Sequence, residues 1–174
     1  MGGRGGDEPA QAGVTGLDRV GGRPLEVVLV EHTDHAVVVA GADGVIRFWN
    51  PAAEALFGHA RAAAVGASLD LIIPVPLRDR HWDGYRRVMA TGETTYAGRT
   101  LAVPAIRADG TRISVEFTVT LLRDDHDAVV GIAAILRDVT AQWAEQRALR
   151  RRVAELERAA ADREAADREA DPGR

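Results

Sequence analysis

Ile113, Val115, Phe117, Val119 and Leu121 alternate with Ser114, Glu116, Thr118 and Thr120. A period of two fits a pleated strand with one face buried and the other wet. Strands of that kind sit in antiparallel sheets that lay one face on a core. The flanking residues extend the sheet. Gly98 to Val103 reads as a strand before it, joined through the Arg107-Ala108-Asp109-Gly110 turn. Val129 to Leu136, apolar nearly throughout, reads as a strand after it, beyond an Asp124 to Asp127 turn.

An earlier hairpin completes the sheet. Ala36 to Ala40 is rich in β-branched residues, Gly41-Ala42-Asp43-Gly44 is a turn, and Val45 to Trp49 returns. Helical segments fill the gap between the two groups of strands. Asn50 suits an N-cap and Pro51 a first helical position, with Gly58 as the left-handed stop after Phe57. A short helical piece follows over Arg61 to Val65, and another brief element over Ser68 to Ile73. Pro76 to Ala90 reads as the longest helix of the domain, with His81, Tyr85, Val88 and Met89 on one face. The order implies an α+β fold: a five-stranded antiparallel sheet with helices on one face.

The flanks differ from this domain. Residues 1–24 are glycine-rich and lack periodicity, which reads as a disordered tail. A short amphipathic helix over 25–34 places Leu25, Val28 and Leu29 on one side. The domain proper is expected over 35–139. From Thr140, a candidate cap, Ala, Arg and Glu dominate to residue 170. Gln142, Leu149, Val153, Leu156 and Ala160 repeat at spacings of 7, 4, 3 and 4, a coiled-coil seam.

Composition closes several routes. The 174 residues contain no cysteine, so disulfides, thiolate metal sites, cysteine nucleophiles and thioether-linked haem are excluded. The formal charge of −4 gives no basic footprint for nucleic acid. No apolar run reaches the ~18–20 residues of a membrane span, and the N-terminus has no signal-peptide core. These features imply a cytoplasmic protein. No Walker A segment, H-E-x-x-H or G-x-S-x-G is present, and no catalytic segment follows Thr140, so no enzyme is expected.

The residues also resemble a family. Asp43-Gly44-Val45-Ile46, Asn50-Pro51-Ala52-Ala53-Glu54-Ala55-Leu56-Phe57-Gly58, Leu71-Ile72-Ile73-Pro74, Asp109-Gly110-Thr111 and Arg137-Asp138-Val139-Thr140 occur in the order and spacing of a PAS domain. The closing Asp-x-Thr resembles the family's junction with a signalling helix. Ile73-Pro74-Val75-Pro76-Leu77-Arg78-Asp79-Arg80-His81 resembles the I-P-x-x-x-R-x-x-H segment of oxygen-sensing haem PAS domains of the FixL type and of bacterial direct oxygen-sensor phosphodiesterases. That resemblance implies haem b, with His81 as the iron ligand and Arg99 as the donor to bound oxygen. It implies Arg87 near a propionate and Phe117 and Val119 on the distal face. Phe117 is bulkier than the aliphatic residue usual there.

Two functions follow. One is a haem-based gas sensor that signals through a dimeric C-terminal helix to an unknown partner in trans. The other is a cofactor-free PAS adaptor that only dimerises, in which His81 is a packing residue. A flavin or small metabolite is a third occupant, although flavin-adduct photochemistry needs a cysteine. Any pocket should lie between the long helix and the inner sheet face, lined by Val88, Leu101, Val103, Ile113, Val115, Ile132 and Ala134. Trp82, about 100° around the helix from His81, is expected to pack on the sheet or a dimer partner. His32 and His35 lack a third metal ligand nearby and read as loop residues. His59 and His126 read as surface residues, and the Asp124 to Asp127 cluster as a turn rather than a calcium site.

Overall fold

The computed structural model describes residues 18–94 and 100–170, with side chains to residue 163. It opens on a two-stranded ribbon, β1 (Arg19–Val20) and β2 (Arg23–Pro24), turned by Gly21 and Gly22 at positive φ. The disordered tail expected over 1–24 is thereby shortened: residues 19–24 are paired, and residues 1–17 lie outside the described part. Helix α1 (Leu25–His32) follows, with no fully buried residue.

Strands β3 (Ala36–Gly41) and β4 (Ile46–Trp49) form the first hairpin. Strands β5 (Leu101–Ile106), β6 (Arg112–Arg123) and β7 (Val129–Asp138) form the second group. All pairings are antiparallel, in the order β4-β3-β7-β6-β5. The first and last strands of the domain therefore lie side by side at the sheet's centre.

Strand β5 runs past Val103, where the sequence places its end. Pro104 interrupts nothing because, among the described residues, β5 is an edge strand paired only with β6. A missing N–H is tolerated at an edge, where one side of the ladder has no partner.

Helix α2 (Pro51–Phe57) has the expected local chemistry. The Asn50 side chain accepts the Ala53 N–H, Pro51 occupies the first turn, and Gly58 closes the helix at φ 76°. Helix α3 (Arg61–Ala64) and two 3₁₀ turns, Leu69–Leu71 and Val75–Leu77, lead into α4 (Arg78–Thr91), which ends on Gly92 at φ 65°. These helices cover the inner face of the sheet. Ile46, Trp49, Phe57 and Val115 are the large apolar side chains sealed between the layers, and the Trp49 and Phe57 rings lie 5.3 Å apart. His59 is not a free surface residue. It is half-buried, with its Nε2 enclosed, and its backbone carbonyl accepts the Trp49 indole N–H at 3.2 Å.

Asn50 is wholly buried and uses its amide four ways. It accepts from the N–H groups of Val37 (2.8 Å) and Ala53 (2.9 Å) and donates to the carbonyls of Val30 and His35, each at 3.0 Å. One side chain thus fixes the end of α1, the start of β3 and the cap of α2.

Helix α5 (Thr140–Ala170) leaves the sheet from β7. Its start is capped differently from the sequence expectation. Asp138 accepts the Thr140 N–H at 2.8 Å, while the Thr140 hydroxyl turns back and accepts the Ser114 N–H at 2.9 Å. Arg107 pairs with Asp138 at 2.7 Å. Burial opposes the charge on Asp138, but the bonds from Thr140 and Arg107 outweigh it and hold its carboxyl below the usual range.

A half-buried histidine on an apolar pocket

The helical cover is incomplete over the middle of the sheet. A cavity of about 150 Å³ opens there between the inner face of β3, β5, β6 and β7 and the helices opposite. Val38, Val115, Phe117, Val119 and Ile132 line it from the sheet, and Phe57, Ile72 and Ile73 from the helical side. Among the described residues, His81 and Tyr85 are the only lining side chains that carry a polar atom.

The local sequence explains how His81 reaches this wall. It lies one turn into α4, and Tyr85 follows it at i+4 on the same face. Tyr85 donates its hydroxyl proton to the Gly41 carbonyl at 2.6 Å, anchoring α4 to the end of β3. Burial, with help from Asp43, pushes the Tyr85 phenol up to about 12. The Tyr85 and Trp82 rings flank His81 at 5.7 and 4.9 Å. The His81 Nδ1 is buried and has no hydrogen-bond partner. Burial lowers its pKa below 6.5, against the opposing pull of Asp70. His81 is therefore a neutral imidazole at pH 7 with an uncommitted nitrogen.

Asp70 organises the approach. It accepts the Trp82 indole N–H at 2.9 Å, and its backbone carbonyl accepts from Arg78 at the same distance. Arg78 also bonds the Ile73 carbonyl at 3.1 Å. The arginine of the nine-residue segment thus locks the turn before α4 and sets the helix that carries His81. Trp82 packs over the β3–β4 turn. A Cβ on Gly44, which has φ 74°, would lie 2.3 Å from the Trp82 ring.

The expected site residues divide. His81, Phe117, Val119 and Ile132 line the cavity, as do Val103, Val115 and Ala134. Leu101 begins β5 but does not line it, nor do Val88 and Ile113. Arg87 lies on an exposed face of α4, away from the cavity. Arg99 falls outside the described residues. Sequence reasoning missed Phe57, Ile72, Ile73 and Tyr85 as lining residues. For Tyr85 a signal existed, since it stands four residues after His81 on a helix.

A second, open cleft of about 600 Å³ lies between α1, α2 and the end of β7. It contains His32 and His35, but its charged groups are largely matched: Arg107 to Asp138, Arg61 to Glu31 and Arg137 to Glu116. Among the described residues, no group of three His, Cys, Asp or Glu is placed to hold a metal ion.

A five-stranded antiparallel sheet with helices on one face and an apolar pocket beneath them define a small sensory domain. The chain belongs to the PAS fold family, whose model matches residues 30–144. It is 36% identical over 82% of its length to an uncharacterized protein of Azorhizobium caulinodans. It is 26% identical over 70% of its length both to the oxygen sensor protein DosP of Escherichia coli and to the sensor protein FixL of Bradyrhizobium diazoefficiens. It spans 19%, 15% and 24% of those three proteins' lengths. Among solved structures, the PAS domain of a Colwellia psychrerythraea protein matches 67% of this chain and 95% of its own, at a TM-score of 0.58 and 18% identity. No helix among the described residues is long and apolar enough to cross a membrane.

Proposed function

We propose that this PAS domain senses a diatomic gas, oxygen foremost, through haem b held by His81, and signals through α5. The observation that carries the reading is the His81 imidazole: neutral, half-buried against an apolar wall, its Nδ1 enclosed and without a partner. A neutral imidazole in hydrocarbon surroundings is what a haem iron takes as its one axial protein ligand, through Nε2. The likeness to an oxygen sensor protein points the same way. Haem would supply the iron that the gas binds. The chain's part is to hold and select. Tyr85 and Asp70 set the α4 helix, Phe117 and Val119 crowd the sheet side, and Arg99, by the resemblance, supplies a donor from the segment before β5. Output passes through α5 to a second copy of the chain and to a downstream protein in trans. The reading involves no catalysis, nucleic acid or membrane, and places the protein in the cytoplasm.

A second reading has its own observation. The cavity encloses about 150 Å³, and apolar cavities of about that size take a benzene-sized molecule. Cofactor pockets run to ~300–1,000 Å³. A tetrapyrrole therefore requires α4 to move away from the sheet, whereas a small apolar metabolite does not. Flavin fits less well, because two polar lining side chains cannot satisfy the donors and acceptors of its ring edge.

An absorption spectrum taken during haem titration separates the readings. Haem sensing gives a Soret band that shifts with oxygen, carbon monoxide or nitric oxide, disappears in His81→Ala and returns on adding imidazole. No band in folded wild-type protein overturns the haem reading and leaves the small-ligand one.

A further inference from the structure

Gly84 stands in the middle of α4 for no reason that the resting fold supplies. The other described glycines have one: seven take positive φ, and a Cβ on Gly41 or Gly131 would come within 2.8 or 2.5 Å of another atom. Gly84 is helical, and a Cβ there would meet nothing within 4 Å. Alanine fits the same place and favours the helix by an amount worth about fivefold in an equilibrium. A residue that weakens a helix where nothing requires it suits a helix that bends.

The bonds on either side of Gly84 go to different parts of the molecule. Upstream, Arg78 bonds the Asp70 and Ile73 carbonyls, and Trp82 gives its one indole N–H to Asp70. These bonds tie residues 69–83 into one block, which carries Leu69, Ile72, Ile73 and His81 on the cavity wall. Downstream, Tyr85 bonds the Gly41 carbonyl at the end of β3, and the Gly92 carbonyl accepts from Arg123 of β6 at 2.9 Å. The rear half of α4 is therefore fastened to the sheet. The block has its own backbone bonds at its far end. The Leu69 N–H donates to the Gly44 carbonyl at 3.1 Å, and the Ile106 N–H to the Ile72 carbonyl at 3.0 Å. It is thus held at two ends, by that pair of bonds and by Gly84, with Ile73 and His81 between them.

We infer that Gly84 is the hinge of α4, and that residues 69–83 swing on it away from the sheet to admit a ligand larger than the resting cavity of about 150 Å³. Tyr85 stays in place, while His81 travels with the block and keeps its face toward the widened pocket. The Trp82 ring, which lies over Gly44, parts from that turn as the block moves. Bending breaks helical bonds that span residue 84, and glycine makes this easier than alanine because it holds the helical conformation less strongly. The inference deepens the working of the site proposed above. It rests on the haem reading for the size of the ligand, but the bending is a property of the ligand-free chain.

Gly84→Ala in the full chain tests it. With no clash to oppose it, the substitution should raise the urea midpoint. Haem uptake, followed by the growth of the Soret band after mixing with free haem, should nonetheless slow about fivefold. A second variant, Gly84→Ala with Ala90→Gly, moves the glycine to an exposed position in the rear half. It restores the summed helix propensity but not the hinge, so uptake should stay slow. Without haem, amide exchange at residues 84–88, whose helical bonds span the bend, should be about fivefold slower in both variants than in the wild type. A Gly84→Ala chain less stable than the wild type, uptake as fast as in the wild type, or uptake restored by Ala90→Gly overturns the inference. A wild type that takes up no haem overturns the sensing reading instead. Exchange then decides the hinge alone: equal rates at residues 84–88 in the wild type and Gly84→Ala would remove it.

Discussion

His81 has a measurable signature that requires no ligand. Burial lowers its pKa in the folded chain, while the unfolded chain takes up its proton near 6.5. The unfolded state therefore binds more protons in the window below that value, and stability falls as pH drops through it. Above it, both states carry neutral imidazole and the effect vanishes. His81→Gln should lose less of its urea midpoint between pH 8 and pH 5.5 than the wild type does. Equal losses in the two proteins would mean that His81 is not held neutral by its surroundings. The sequence exposed this residue through its nine-residue segment. It could not show the unpartnered Nδ1, because that depends on Trp82 and Tyr85 enclosing the ring in three dimensions.

Elements were legible where their signals are local. Asn50, Pro51 and Gly58 mark the limits of α2 within nine residues, and the alternation of β6 states its face directly. Signals that depend on position in the fold were not legible. Pro104 reads as a strand breaker until β5 is known to be an edge. Thr140 reads as a cap until β6 brings the Ser114 N–H to its hydroxyl. The cavity was anticipated between the correct layers, but Leu101, Val88 and Ile113 were assigned to it and Phe57 was not. Strand alternation identifies the inner face, yet only helix placement decides where that face stays uncovered. Asn50 is the point where several elements depend on one residue. Asn50→Ala removes a helix cap and strands the Val37 N–H and two carbonyls inside the protein. It should destabilise the domain by about 3 kcal/mol in urea denaturation. A loss below 1 kcal/mol would show that water or a backbone shift replaces those bonds.

At the scale of the molecule, the body and its trailing helix divide the work between burial and exposure. The sheet ends in a junction tied by Asp138, Thr140, Ser114 and Arg107, and beyond it α5 contributes no buried residue among those whose side chains are described, up to residue 163. Stability of the body and self-association through α5 should therefore respond separately to substitution. Leu149→Asp puts a carboxylate on the seam without removing any contact inside the protomer. Sedimentation should show self-association weakened at least tenfold, since two such charges would face each other in a desolvated seam. The variant's urea midpoint, measured where both proteins are monomeric, should match the wild type. If the midpoint falls together with association, the two are not independent: the body draws stability from the second copy, and a signal from the pocket must then act on a single cooperative dimer rather than on a helix that two stable domains share.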